Sequence, residues 1–213
     1  MDVYSYNRVN IKKLDDYYLV KDTNTNCEFF WNSFQILNHR IEKNLLQIGN
    51  VKIYGKSFIT LKNYLLNYNN ILPYDECVKI LGSLYSQTQE MYRNGILVPF
   101  FDLDSIVKID NDYYYINSFK IIYEKNNEYL YTRPFKRNIF ISPEIDSGML
   151  PIRVDFGSTL YSLACLVGHC LTNSEITYSN KVKKLDFINH SKLFFCLQRL
   201  LFESKQSRVF FFI

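Results

Sequence analysis

The segment that decides the fold is residues 95–122, which read GILVPFFDLDSIVKIDNDYYYINSFKII. Two apolar runs, residues 106–109 and 113–122, lie on either side of an Asp-Asn-Asp sequence at 110–112. Asp and Asn are favoured in tight turns because their side chains bond the nearby backbone. The pattern predicts a small β-hairpin, which follows a Pro-Phe-Phe corner at residues 99–101.

A helix is predicted immediately before this hairpin. It begins near Pro73, carries Asp75 and Glu76 in its first turn, has apolar residues at helical spacing and stops at Asn94-Gly95. Proline is favoured at the start of a helix, and acidic side chains stabilise the positive end of the helix dipole. The end signals therefore agree with the periodicity.

Two further helices are predicted after the hairpin. Residues 160–171 are almost uniformly apolar and follow Ser-Thr at 158–159, which predicts a helix buried on all sides. Residues 191–203 place their apolar side chains on one face, as a surface helix does. The apolar tail over residues 209–213 is expected to pack against the rest of the protein.

The composition is that of a folded chain. Of 213 residues, 47% are hydrophobic and 22% are charged, which excludes a mainly disordered, collagen-like or coiled-coil protein. We predict an α+β fold in two parts. Residues 1–60 are expected to form strands with one helix, and residues 61–213 are expected to be mainly helical.

Charge, cysteine content and apolar runs limit the partners and the compartment. The net charge is +4 and the basic residues are scattered, apart from a cluster at residues 181–184, so no nucleic-acid partner is expected. The five cysteines form no C-x-x-C pair and are interpreted as reduced core thiols of a cytosolic protein. The longest apolar run is too short for a membrane span, and no signal peptide is recognised, so no membrane association is expected.

The order of these segments resembles the protein kinase fold over residues 50–213. Residues 95–107 align without a gap with the catalytic loop, in which H-R-D is followed by Asn four residues after the Asp, and residues 116–120 resemble the strand that ends in D-F-G. Ser-Pro-Glu at 142–144 is similar to A-P-E, and residues 159–164 resemble the D-x-W-S-L-G start of the central helix. The resemblance implies a protein-kinase-like fold with a reduced, β-rich N-terminal lobe and a mainly helical C-terminal lobe.

The resemblance also implies a structural ion pair. In the family, the Glu of A-P-E pairs with an Arg near the end of the domain, and Glu144 and Arg208 occupy these positions here. Removing one member of a buried pair leaves an uncompensated charge, so such a pair joins distant segments firmly. We therefore expect Glu144 and Arg208 to be in contact.

Uncharged residues stand where the family has its catalytic groups. Val98, Pro99 and Phe100 align with H-R-D, Ser105 aligns with the Asn, and Ser118 aligns with the Asp of D-F-G. Phosphoryl transfer needs a carboxylate to orient the attacking hydroxyl and oxygen ligands for Mg²⁺. Phe cannot accept a proton and Ser brings no charge. We therefore expect no catalytic residues, no cofactor and no metal site at these degenerate positions.

Other features bear on the same question. No G-x-G sequence occurs, so the glycine-rich loop that covers nucleotide phosphates in the family has no counterpart. Asp102 and Asp104 are the carboxylates that could form a displaced metal site, although loop acids of this kind are more often solvated or act as local caps. ATP and Mg²⁺ would be cofactors only in that case.

We interpret the chain as a catalytically inactive, kinase-like binding or scaffolding module, a pseudokinase whose partner is a protein such as a kinase or a kinase substrate. Frequent Tyr and Phe (18 and 17 residues) are typical of an A/T-rich genome. The phrases FISPE and LYSLA resemble kinase-like proteins of large DNA viruses, which implies the host cytoplasm and an effect on host or viral kinase signalling. Two alternatives stay open: a divergent active Ser/Thr kinase and an unrelated α+β interaction protein.

Overall fold

The computed structural model describes residues 2–6, 9–14, 17–22, 30, 32–33, 35, 41–43, 50–202 and 204–211. The strands, in chain order, are β1 (Asp2–Tyr6), β2 (Val9–Lys13), β3 (Tyr17–Asp22), β4 (Ile41–Lys43), β5 (Asn50–Tyr54), β6 (Phe58–Thr60), β7 (Ile96–Leu97), β8 (Ile106–Ile109), β9 (Asp112–Tyr115), β10 (Ile122–Tyr123), β11 (Tyr129–Tyr131) and β12 (Ile152–Val154). The α-helices are α1 (Leu61–Leu66), α2 (Tyr74–Arg93), α3 (Pro143–Asp146), α4 (Phe156–Thr172), α5 (Lys181–Leu185) and α6 (Lys192–Leu200). The prediction of an α+β fold is confirmed.

The first five strands form one antiparallel sheet in the order β1-β2-β3-β5-β4. Its register pairs Ile11 with Val20, and Val20 with Val51. Buried side chains alternate along β2 and β3, where Val9, Ile11, Tyr18 and Val20 belong to the main hydrophobic core. Because successive side chains of a strand point to opposite faces, this alternation means that one face of the two strands is packed against the rest of the protein.

The hairpin predicted around residues 110–112 is present and belongs to a three-stranded sheet in the order β6-β8-β9. Asp110 adopts a left-handed backbone conformation with a φ of 55°. Its Oδ1 accepts hydrogen bonds from the backbone N–H groups of Lys56 and Ser57 at 2.9 and 2.8 Å. The turn therefore also fixes the connection between β5 and β6.

The second strand of the hairpin is shorter than predicted. Strand β9 ends at Tyr115 rather than at residue 122, because the chain turns at the next residues and the Lys120 N–H bonds the Asn117 carbonyl at 3.3 Å. After this turn the apolar run continues as β10, which pairs with β7. One apolar segment of the sequence therefore contributes to two sheets.

Helix α2 agrees with its predicted end signals. It runs from Tyr74 to Arg93, with Pro73 as its N-cap and Asn94 as its C-cap. Gly95 follows with a φ of 71°, a conformation that glycine adopts without steric cost. Its buried residues lie along one side and are Cys77, Ile80, Leu81, Ser83, Leu84, Gln87, Thr88 and Met91.

Helix α4 is the central helix of the protein. It begins at Phe156, before the apolar run at residues 160–171 from which the helix was predicted, because Asp155 is its N-cap: Asp155 Oδ1 accepts a hydrogen bond from the Ser158 N–H at 3.3 Å. Every residue from 158 to 171 except His169 is buried, the longest continuous buried stretch among the described helices. The predicted burial of this helix on all sides is confirmed.

The last helix and the tail differ from the prediction. Helix α6 ends at Leu200 instead of residue 203. In the tail, the Phe210 ring stacks on Tyr85 with ring centroids 3.5 Å apart, whereas Val209 and Phe211 are 57% and 52% exposed. Alternate side chains of an extended segment point to opposite sides, so only part of the tail packs down. Residues 212–213 lie outside the described residues.

The cysteines agree with the prediction where the structure describes them. Cys77, Cys165, Cys170 and Cys196 are free thiols in the core, and Cys27 lies outside the described residues. Within the described part of the chain, no helix combines the length and the apolar character that crossing a membrane requires.

Candidate functional site

The five degenerate positions singled out from the sequence are all buried. Val98, Pro99, Phe100 and Ser105 lie between β7 and the start of β8, and Ser118 lies in the turn after β9. Each of Val98, Phe100, Ser105 and Ser118 is 1% exposed or less. These positions are therefore part of the packed interior and do not open directly to solvent.

Helix α4 holds the loop that contains Val98 and Phe100. The Thr159 hydroxyl donates a hydrogen bond to the Val98 carbonyl at 2.6 Å, and the Phe101 N–H donates to the Ser162 hydroxyl oxygen at 2.8 Å. Both bonds are buried, where an unpaired backbone group is costly. The loop is thus fixed to the first half of α4 by neutral groups.

Phe100 is the centre of an aromatic cluster. Its ring lies 5.8 Å from the ring of Tyr131 and 5.8 Å from that of Phe135, and these two rings are 5.7 Å apart. The Lys120 ammonium lies 5.1 Å from the Phe100 ring centroid. Such ring contacts stabilise a core by more than the burial of their apolar area alone would. The position that resembles the catalytic Asp is therefore occupied by a ring that packs against other aromatic side chains.

The amide of Asn117, the residue before Ser118, forms a second cluster with Ser105. Asn117 Nδ2 donates to Ser105 Oγ at 3.0 Å, and the Ile116 N–H donates to the Ser105 carbonyl at 2.9 Å. Asn117 is 2% exposed, and its Oδ1 has no hydrogen-bond partner among the described residues. The cluster brings Ser105 next to the segment that carries Ser118.

Magnesium is the metal that the kinase resemblance implies for this position, and these side chains do not suit it. Mg²⁺ is usually bound through one or two carboxylates together with water and phosphate oxygens. Ser105, Asn117 and Ser118 offer uncharged hydroxyl and amide groups. Over the described residues, no three His, Cys, Asp or Glu side chains gather into a set that could hold a metal ion.

The two nearby aspartates are occupied by structural contacts. Asp102 caps the 3₁₀ turn Leu103–Ser105 by accepting the Ser105 N–H at 2.7 Å, and it forms an ion pair with Lys120 at 2.5 Å. Asp104 pairs with Lys62 at 3.1 Å. The carboxylates considered for a displaced metal site thus each face a lysine.

Glu144 and Arg208, the two residues expected to pair, are in contact. Arg208 Nη1 lies 2.5 Å from Glu144 Oε1, and Nη2 lies 3.1 Å from Oε2, so the two planar groups meet through two bonds. The Ser158 hydroxyl donates to Glu144 Oε1 at 2.8 Å. Burial alone would raise the pKa of Glu144, but the hydrogen bonds from Arg208 and Ser158 outweigh it and lower that pKa.

Arg208 also contacts the segment that follows helix α6 and the first turns of α4. Its Nε donates to the Phe202 carbonyl at 2.7 Å, and its Nη1 donates to the Gly157 carbonyl at 3.2 Å. Its guanidinium carbon lies 4.7 Å from the ring centroid of Tyr161. The pair therefore ties helix α3 and the C-terminal segment to the start of α4.

A cleft of about 400 Å³ opens beside the Phe100 cluster. Four basic side chains, two acidic side chains and several aromatic rings line it. The lining residues are Phe100, Asp102, Asp104, Phe119, Lys120, Tyr131, Arg133, Pro134, Phe135, Lys136, Arg137 and Asn138. Residues 131–138 carry no motif that indicates a cleft, because a charged stretch between two motifs has no periodic signal of its own.

A partly buried ionic network that was not predicted lies elsewhere, at the start of α2. Glu76 Oε2 accepts hydrogen bonds from Lys108 Nζ at 2.7 Å and from the Tyr113 hydroxyl at 2.5 Å, and Oε1 accepts from Lys79 Nζ at 2.8 Å. Burial would raise the pKa of Glu76, but these donors outweigh it and lower the pKa from 4.5 to about 2. The network joins α2 to the hairpin.

Comparison with known proteins identifies no family for this chain. Neither the protein-family models nor the curated protein sequences include a match for the chain.

Proposed function

We propose that the chain is a catalytically inactive, protein-kinase-like module that acts by binding a partner protein. The observation that carries this proposal is the packing of Phe100. At the position that resembles the catalytic Asp of the kinase family, an aromatic ring lies in contact with Tyr131 and Phe135 instead of a carboxylate facing a substrate.

The chemistry that phosphoryl transfer requires supports this reading. The reaction depends on positioned charge, namely a carboxylate that orients the hydroxyl and metal ions that neutralise the phosphate oxygens. Ser105 and Ser118 carry no charge and are buried. Asp102, the nearest acid in the loop, already caps a turn and pairs with Lys120.

The alternative of a divergent active kinase would need these acids to change partners. Asp102 Oδ1 already accepts the Ser105 N–H and Oδ2 already pairs with the Lys120 ammonium, so a metal ion would have to compete with that ammonium for the carboxylate. We therefore favour a binding role over catalysis. The order of the motifs and the Glu144–Arg208 contact support the kinase-like part of the proposal.

The proposed partner is a protein, with a kinase or a kinase substrate as the first candidate. A lobe that keeps a kinase-like outer surface without catalysis can occupy the docking surface of a true kinase and compete for its partners. If the chain derives from a large DNA virus, the interaction would occur in the cytoplasm of the host cell.

A phosphotransfer assay tests the catalytic part. The purified chain is incubated with radiolabelled ATP, Mg²⁺ or Mn²⁺ and a general protein substrate, next to an active Ser/Thr kinase as a positive control. We expect no label above background. Label that disappears in Asp102→Asn or Asp104→Asn, but remains in the matched surface variant Asp75→Asn, would overturn the inactive assignment in favour of displaced acids.

A further inference from the structure

The cleft beside Phe100 carries an excess of positive charge at its outer rim. Asp102 and Asp104 face Lys120 and Lys62, so the acidic lining is already matched by lysines. Arg133 and Lys136, by contrast, form no ion pair with a carboxylate of the described residues, since none lies within 4.0 Å of their side-chain nitrogens. These two side chains are exposed and are available to a ligand of opposite charge.

A third cation is only loosely held. Arg137 pairs with Asp146 at 2.9 Å, but its side chain is 82% exposed. Exposed pairs of this kind contribute between about 0 and 1 kcal/mol, so Arg137 can exchange its partner at little cost. The rim over residues 133–137 therefore offers up to three cations within a short segment.

The aromatic part of the cleft contacts one of these cations. The Arg133 guanidinium lies 4.9 Å from the ring centroid of Phe119. Phe119 itself is 37% exposed, so part of its ring is accessible from the cleft. A guanidinium that stacks on a ring keeps its edge N–H groups free for two parallel hydrogen bonds to a carboxylate.

We propose that this cleft binds an acidic, extended segment of the partner protein. Carboxylates of that segment would bind Arg133 and Lys136, and an apolar side chain beside them would cover the exposed face of Phe119. The proposal rests on the proposed binding function and names the chemical class of the partner. Nucleic acid fits less well, since a chain of phosphates needs a longer basic track and here two aspartates line the same cleft.

Fluorescence anisotropy with a labelled poly-glutamate peptide tests the cleft. The test variant is Arg133→Glu with Lys136→Glu. The control variant is Lys183→Glu with Lys184→Glu, which makes the same change of charge at two exposed residues of helix α5. Melting temperatures of both variants are measured to establish that they are folded.

We expect the wild-type protein to bind the peptide, and salt to weaken the binding. The cleft variant should lose about tenfold or more in affinity, whereas the control should stay within about twofold of wild type. Equal losses in both variants, or no binding by wild type, would overturn the proposal. Displacement of the peptide by an oligothymidine at equal or lower concentration would overturn it in favour of a nucleic-acid cleft.

The outcome is separable from that of the phosphotransfer assay. Absence of peptide binding together with absence of label transfer removes the acidic partner and leaves the inactive module standing. Label transfer together with loss of peptide binding in the cleft variant removes the inactive module and leaves the acidic specificity standing.

Discussion

The loop around Phe100 and the Glu144–Arg208 pair both contact helix α4, yet they are built in opposite ways. The loop is held by neutral hydrogen bonds from Thr159 and to Ser162, and its centre is a set of aromatic rings. The pair places two full charges next to the first turn of the same helix, with Arg208 4% exposed. Two full charges thus join segments at the Glu144–Arg208 pair, whereas Phe100 and the rings around it bring no charge to the loop.

This difference teaches what each region can contribute. A buried ion pair with several hydrogen bonds orients the segments that it connects, and it becomes a liability when one partner is lost. An aromatic cluster stabilises through area and shape and offers nothing to a phosphate or a metal. The framework and the chemistry of a site are therefore separable in this molecule.

The largest expected effect comes from placing a charge in the aromatic cluster. Phe100→Asp removes ring contacts with Tyr131 and Phe135 and buries a carboxylate. Truncating a core Phe costs about 3–5 kcal/mol, and the buried charge adds to that cost. Urea unfolding measures the loss, with Phe119→Asp at the exposed rim as the control for which we expect a smaller change. An unchanged free energy of unfolding would contradict the packed role of Phe100.

Breaking the Glu144–Arg208 pair should lower the free energy of unfolding somewhat less than Phe100→Asp does. Arg208→Ala leaves Glu144 without its main partner, and we expect a loss of about 3 kcal/mol, at the lower end for buried pairs because the Glu144 side chain is 23% exposed. The matched control is Lys205→Ala, which breaks an exposed pair with Asp155 and should cost about 0–1 kcal/mol. Equal melting temperatures for wild type and Arg208→Ala would be inconsistent with the pair as described.

The Glu76 network provides a charged region that responds to pH. The pKa of Glu76 is lowered from 4.5 to about 2 in the folded protein. The contribution of the Glu76 carboxylate to stability is therefore present above pH 4.5 and is lost as the pH falls towards 2. Glu76→Gln should cost about 1–3 kcal/mol at neutral pH. Denaturant unfolding at several pH values measures both quantities. The difference in free energy of unfolding between wild type and Glu76→Gln should become smaller in acid. A difference that does not change with pH would contradict the role of the Glu76 carboxylate in the network.

The smallest expected effect concerns the hydrogen bond from the Phe101 N–H to the Ser162 hydroxyl oxygen, which holds the loop around Phe100 against helix α4. Ser162→Ala removes the acceptor of the Phe101 N–H, with a cost of about 1 kcal/mol. Amide hydrogen exchange should become faster at Phe101 and stay unchanged at Met91, a buried residue of helix α2. Unchanged exchange at Phe101 would mean that another group protects the loop.

Local signals predicted much of the fold. The limits of α2 followed from Pro73 and Gly95, because these residues act on the backbone next to them. The start of α4 was misplaced because the apolar run begins only at residue 160, whereas the helix begins at Phe156 after its N-cap Asp155. The end of β9 was missed because the apolar run continues unbroken through a turn.

The candidate site was predictable only in part and for a different reason. The degenerate positions and the Glu144–Arg208 pair came from a resemblance in sequence, since the two residues of the pair are far apart in the chain. The link between Glu76 and Lys108 had no such guide, because neither residue belongs to a motif. The cleft at residues 131–138 depends on how an irregular segment folds back on Phe100, which periodicity does not encode. The division of the chain near residue 60 and the kinase-like fold stay predictions.

The central claim, a kinase-like framework without the charges that hold magnesium and nucleotide, is tested most directly by thermal unfolding with and without Mg-ATP. A ligand that binds only the folded state raises the melting temperature, and the shift grows with the logarithm of the ratio of ligand concentration to Kd. We predict no shift at a Mg-ATP concentration that raises the melting temperature of an active Ser/Thr kinase. A shift of several degrees that requires Mg²⁺ and disappears in Asp102→Asn would contradict the claim.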